Sequence, residues 1–110
     1  MTGERASKEE IKEAAARPDV VFLDVRTEPE IAENPLTSRP FVAVECNVTD
    51  SSILEAKIDT VLTDKDAPIV IFCRSGRRAE TAIEVLKQRG FTHTYNGGGV
   101  SDLETNLRST

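Results

Sequence analysis

The 110 residues carry 38% hydrophobic and 30% charged side chains with 6 glycines and 5 prolines, which excludes collagen-like, mucin-like and wholly disordered chains and suits one compact domain over 1–110. Nineteen acids against 14 bases leave a net charge of -5, so the whole-molecule field repels nucleic acid and any anion site must be local. No apolar run approaches the roughly 20 residues that cross a bilayer, and the first residues lack the basic start and apolar stretch of a secretory leader; a cytoplasmic protein with no membrane partner is expected.

The first periodic segment is a helix from Ser7 to Arg17, where Ser7 and Glu10 match a capping box and Ile11, Ala14 and Ala15 share one face. Pro18 ends it. Val20–Val25 reads as a strand covered on both faces, because it is apolar on both parities. Thr27 to Pro40 carries three prolines and reads as an irregular loop with a short helical turn, with Glu28 and Glu30 as solvated helix-start acids.

Phe41–Cys46 is the second expected strand. Asp50 or Ser51 caps a helix through Ile53, Ile58, Val61 and Leu62. Ile69–Cys73 is the most strand-like stretch of the chain, and Ala79–Arg89 follows as a helix with an apolar stripe at Ala82, Ile83, Val85 and Leu86, stopped by Gly90. Thr92–Tyr95 makes a short strand, Asn96 to Gly99 a turn, and Val100–Leu107 a last helix. Strands alternating with helices imply βαβ units, hence an α/β fold with a parallel sheet of four to five strands flanked by helices on both faces. Ligands in such sheets bind beyond the carboxyl ends of the strands, the edge that carries Asp24, Arg26, Cys46, Cys73 and the glycines after Tyr95.

Chemistry concentrates in Cys73-Arg-Ser-Gly-Arg-Arg78. The segment lies between a buried strand and a helix N-terminus, where backbone N–H groups can curl around one anionic point. The helix dipole and the charges of Arg74, Arg77 and Arg78 each favour thiolate over thiol at Cys73. Three cations at a helix N-terminus oppose its dipole and therefore call for an anionic partner. The lone His93 falls on another strand, so no Cys–His pair is expected. Two cysteines and one histidine supply neither a disulfide framework nor an ordinary zinc site, so free thiols and no metal or cofactor are expected.

Asp24-Val-Arg26 after an apolar strand, then Ile-Val-Ile-Phe-Cys73-Arg-Ser-Gly-Arg-Arg78-Ala, then Gly98-Gly-Val, resembles a single-domain rhodanese from about Ser7 to Leu103. The resemblance implies a sulfurtransferase. Its cysteine thiolate takes the outer sulfur of thiosulfate or another small anionic donor, holds it as a persulfide, and yields it to a thiol, cyanide or protein acceptor, with no cofactor. Cys73 would carry the persulfide. Backbone amides from Arg74 through Ser75, Gly76 and Arg77 to Arg78 would stabilise its charge, Arg74 and Arg77 would draw in the donor, and Arg78 would pair with a carboxylate or the donor's sulfonate. Asp24 and Arg26 would support the mouth, as an ion pair fixing the loop or by direct contact. Cys46 reads either as a small buried hydrophobe or as a second thiol that receives the sulfur.

Two other functions stay open. A persulfide carrier or interaction module would exchange sulfur with protein partners and turn over small molecules slowly. A phosphatase-like enzyme is disfavoured because Arg78 follows Cys73 after four residues, one fewer than in the phosphatases of the same fold. The chain also departs from the family pattern: Asn34–Ala43 replaces the usual Gly-His-Ile-Pro-Gly-Ala stretch, and Leu103 stands where an aromatic residue is usual, which predicts a changed pocket wall and looser packing of the last helix.

Overall fold

A computed structural model describes residues 5–108; the reading of the first residues as leaderless falls mainly on residues 1–4, outside the described residues. In chain order the elements are α1 (Lys8–Ala15), β1 (Val21–Asp24), α2 (Glu28–Glu33), β2 (Val42–Ala43), α3 (Ser52–Val61), β3 (Ile69–Cys73), α4 (Arg77–Gln88), β4 (Thr94–Gly99) and α5 (Val100–Arg108). The strands form one sheet in the order β2-β1-β3-β4, and every pair is parallel. The expected α/β architecture is thus present with four strands.

Side-chain alternation along β3 explains its unbroken apolar run. Ile69, Ile71 and Cys73 enter a core with Leu54 and Ile58 of α3 and Ala82, Ile83 and Leu86 of α4, whereas Val70 and Phe72 enter a second core with Ile11 and Ala14 of α1 and Val100 and Leu103 of α5. A strand with helices on both faces has no side left for polar residues.

The Ser7–Glu10 capping box forms as expected, with Glu10 N–H donating to Ser7 Oγ at 3.1 Å and Ser7 N–H donating to the Glu10 carboxylate at 2.8 Å. Two strands differ in extent from the sequence expectation. β2 keeps two residues of the six expected, because it lies at the sheet edge; Val44 and Cys46 still donate to the carbonyls of Asp24 and Val25, both at 3.0 Å, so the chain stays extended on one side only. β4 runs through Gly99, so Asn96 to Gly99 is strand rather than turn, and α5 starts at the next residue. Leu103 is fully buried, so a smaller side chain than the usual aromatic still anchors the last helix.

Asn34–Ala43 is held from the side. The Glu104 carboxylate accepts from the Thr37 and Ser38 N–H groups at 2.9 and 3.0 Å and from both hydroxyls. Those bonds hold its carboxyl down at about 2 against the opposing effect of burial.

Candidate active site

β3 ends at Cys73, and the chain must turn into α4 within three residues. Gly76 makes the turn with φ 95°, a left-handed conformation that a side chain resists, and a Cβ there would lie 3.2 Å from the Gly98 Cα. Gly76 is also the N-cap of α4 and so brings no side chain to its first-turn amides. Its own N–H donates to Cys73 Sγ at 2.9 Å. The loop therefore closes a backbone donor directly onto the sulfur, the kind of contact expected of the amides between Arg74 and Arg78.

Cys73 is 1% exposed. Beside its loop lies a cavity of about 400 Å³ lined by Arg26, Pro29, Glu30, Glu33, Arg74 and the first residues of α5, Val100 and Ser101. The cavity thus sits beyond the carboxyl ends of β1, β3 and β4, where parallel sheets gather their ligands.

The arginines separate into two groups. Arg78 faces inward and forms a two-pronged bond to Glu30, Nη1 to Oε1 at 2.7 Å and Nη2 to Oε2 at 2.8 Å. This corrects the reading of Glu30 as a solvated acid: the Arg78 guanidinium, with help from the Thr27 N–H and hydroxyl, holds its carboxyl down at about 2. Arg74 and Arg77 remain exposed and take part in no ion pair among the described residues.

Asp24 and Arg26 form a buried ion pair at 2.7 Å, their side chains 0% and 2% exposed. The Asp24 carboxylate accepts from Arg26 Nε, Nη2 and backbone N–H. Arg26 Nη1 donates to the Glu30 carbonyl at 3.4 Å, and its guanidinium lies 6.0 Å from the Phe72 ring centroid. The pair ties the end of β1 to α2 and so fixes the wall that carries Glu30. Arg26 also reaches the cavity.

Cys46 is a free thiol, 1% exposed, in the same core as Cys73. Burial pushes it up to about 11, with Asp50 and Glu55 adding to the effect. At neutral pH it is a protonated, packed side chain, as the small-hydrophobe alternative requires.

Asn96 was read from sequence as part of a turn, but its role is more specific. It is 2% exposed, its Nδ2 donates to the Gly76 carbonyl at 3.0 Å and its Oδ1 accepts from the Gly98 N–H at 2.9 Å. It therefore splices the Cys73 loop to the glycine segment of β4. The close fit shows at Gly99, where a Cβ would lie 2.2 Å from the Arg74 carbonyl. Its bond to the Gly98 N–H is local, two residues away, but the Gly76 carbonyl arrives from 20 residues away and no local pattern marks it.

Residues 7–104 match the model of the rhodanese-like domain. The thiosulfate sulfurtransferase PspE of Escherichia coli (strain K12) is 34% identical over 50 residues, 46% of this chain and 48% of PspE, so the match spans about half the length of that relative. A sulfurtransferase of Allochromatium vinosum is 28% identical over 101 residues, 91% of this chain and 86% of the relative. A solved structure described as rhodanese with anions from E. coli superposes with a TM-score of 0.53 at 26% identity, covering 76% of this chain and 89% of the other.

Proposed function

The chain belongs to the rhodanese-like domain family, and on that premise we propose that residues 1–110 work as one sulfurtransferase unit, with Cys73 as the sulfur-carrying residue. The observation that carries the reading is the Gly76 N–H aimed at Cys73 Sγ at 2.9 Å from the mouth of α4, which stabilises negative charge on sulfur without a histidine partner.

The Cys73 thiolate attacks the outer sulfur of thiosulfate or a related donor. The donor's S–S bond breaks, sulfite leaves with the electron pair, and the terminal sulfur of the Cys73 persulfide carries the charge. An acceptor thiolate or cyanide then attacks that terminal sulfur, and the Cys73 thiolate departs. Arg74 and Arg77 supply the attraction for an anionic donor, since Arg78 is occupied by Glu30 and Arg26 by Asp24.

Loop length supports sulfur over phosphorus: Arg78 follows Cys73 after four residues, and a smaller ring of N–H groups suits one sulfur atom better than a tetrahedral phosphoryl group. Intact mass after brief exposure to thiosulfate tests the proposal. Wild type and Cys46→Ser should gain one sulfur and release one equivalent of sulfite, whereas Cys73→Ser should do neither. Sulfite release by Cys73→Ser would overturn the assignment.

A further inference from the structure

One peptide unit links the sulfur to the N-terminal arm. The bond between Ser75 and Gly76 is trans, so its carbonyl and its N–H point in opposite directions. The N–H donates to Cys73 Sγ; the carbonyl accepts from Arg5 Nη2 at 3.3 Å. The same Nη2 is anchored to the Asp102 carboxylate in the first turn of α5 at 2.9 Å. The backbone of Arg5 bridges β4 at Asn96, and Ala6 N–H donates to the Asn96 carbonyl at 2.9 Å.

The guanidinium also has a seat made for it. At Gly98, with φ 78°, a Cβ would lie 2.7 Å from Arg5 Nε and 2.9 Å from Cζ, so any other residue there would evict the arginine. From these contacts we infer that Arg5 is a positioning residue for Cys73, acting through the Ser75–Gly76 peptide with Asp102 as its anchor. A cation on the carbonyl polarises the amide and strengthens its N–H as a donor. The fixed carbonyl also prevents the peptide from flipping its N–H away from sulfur. Arg5 touches neither donor nor acceptor, so its contribution falls on the charge state of sulfur and on the rate at which the persulfide forms.

Other charged and titratable groups surround the site: Arg74, Arg77 and Arg78 from the loop and α4, Asp24 and Arg26 after β1, Glu30 on α2, and Cys46. Arg78 is in electrostatic contact with Cys73, Glu30 and Asp24, and Cys46 with Cys73. Among the described residues, none of these side chains bonds to Arg5 or Asp102, whose side-chain bonds run to each other and to the Ser75 carbonyl.

The inference rests on the proposed persulfide chemistry, and one experiment separates the two. Iodoacetamide alkylation of Cys73 is followed from pH 5 to 9 in the Cys46→Ser background, alongside single-turnover sulfite release from thiosulfate. Arg5→Met should move the alkylation profile toward alkaline pH and slow both reactions about fivefold at pH 6; Arg5→Lys should fall between it and the parent. Asp102→Asn is the decisive variant. Removing a negative charge would by itself favour the thiolate, whereas freeing Arg5 disfavours it, so slowing in the same direction as Arg5→Met supports the relay. An unchanged profile in Arg5→Met, or acceleration in Asp102→Asn, overturns it. A parent protein that gains no sulfur from thiosulfate instead overturns the sulfurtransferase reading, whatever Arg5 does.

Discussion

Asn96 holds two backbone groups, the Gly76 carbonyl behind the sulfur loop, which also accepts from the Glu80 N–H at 3.1 Å, and the Gly98 N–H beneath it. Truncation removes the acceptor of the buried Gly98 N–H, a loss of about 1–3 kcal/mol, while the Gly76 carbonyl keeps its bond from the Glu80 N–H. Asn96→Ala should therefore lower the unfolding free energy by about 1–3 kcal/mol in urea titration. It should also slow sulfite release, since the loop loses its tie to β4. Glu30 shows how a residue's meaning changes with its surroundings. Thr27 and Glu30 stand at capping-box spacing, which is a local signal, but the Arg78 guanidinium that takes both carboxylate oxygens arrives from 48 residues away. Sequence proximity to Arg26 gave no hint of it.

Loops that wall the cavity are governed by contacts between elements. Asn34–Ala43 departs from the family's usual stretch and is anchored in the core by Leu36 and Phe41, and α5 reaches across with Glu104 to gather the Thr37 and Ser38 amides and hydroxyls. A neutral amide offers one acceptor oxygen and confronts the remaining donors with its own NH₂. Glu104→Gln should thus cost about 1–3 kcal/mol and accelerate hydrogen exchange at Thr37 and Ser38, while the amides of β3 keep their protection. Uniform loss of protection across the sheet would show that Glu104 supports the whole fold and not this loop. The shortness of β2 belongs to the same scale: Phe41–Cys46 has the composition of a strand, but an edge position gives it one partner only, and its two paired side chains are both exposed.

Across the whole molecule, the excess of acid sets the response to pH. Glu30 and Glu104 are both held down at about 2 from an ordinary value of 4.5. A carboxyl depressed in the folded state binds its proton more readily when unfolded, so its contribution is complete above pH 4.5 and disappears as pH falls toward 2. Urea midpoints measured from pH 7 to pH 2.5 should decline steeply below pH 4.5 in the wild type. Glu30→Gln with Glu104→Gln should begin less stable at pH 7 and lose less on acidification; parallel curves for the two proteins would contradict the assignment. The net charge of -5 makes the exposed cations Arg74 and Arg77 a local exception within an otherwise repulsive field, which suits a small anionic donor better than a polyanion.

The parallel α/β sheet, the two-sided burial of Ile69–Cys73 and the position of Cys73 before a glycine-bearing helix start all follow from the sequence by itself, because periodicity, capping and left-handed glycine are short-range properties of the chain. Which arginine is occupied, which acid occupies it, how far β2 and β4 extend, and how Asn96, Glu104 and Arg5 reach across to their partners are decided only by tertiary structure. Each depends on a hydrogen bond or ion pair between residues many positions apart, and no local pattern encodes which distant partner the folded sheet will bring within 3 Å or so.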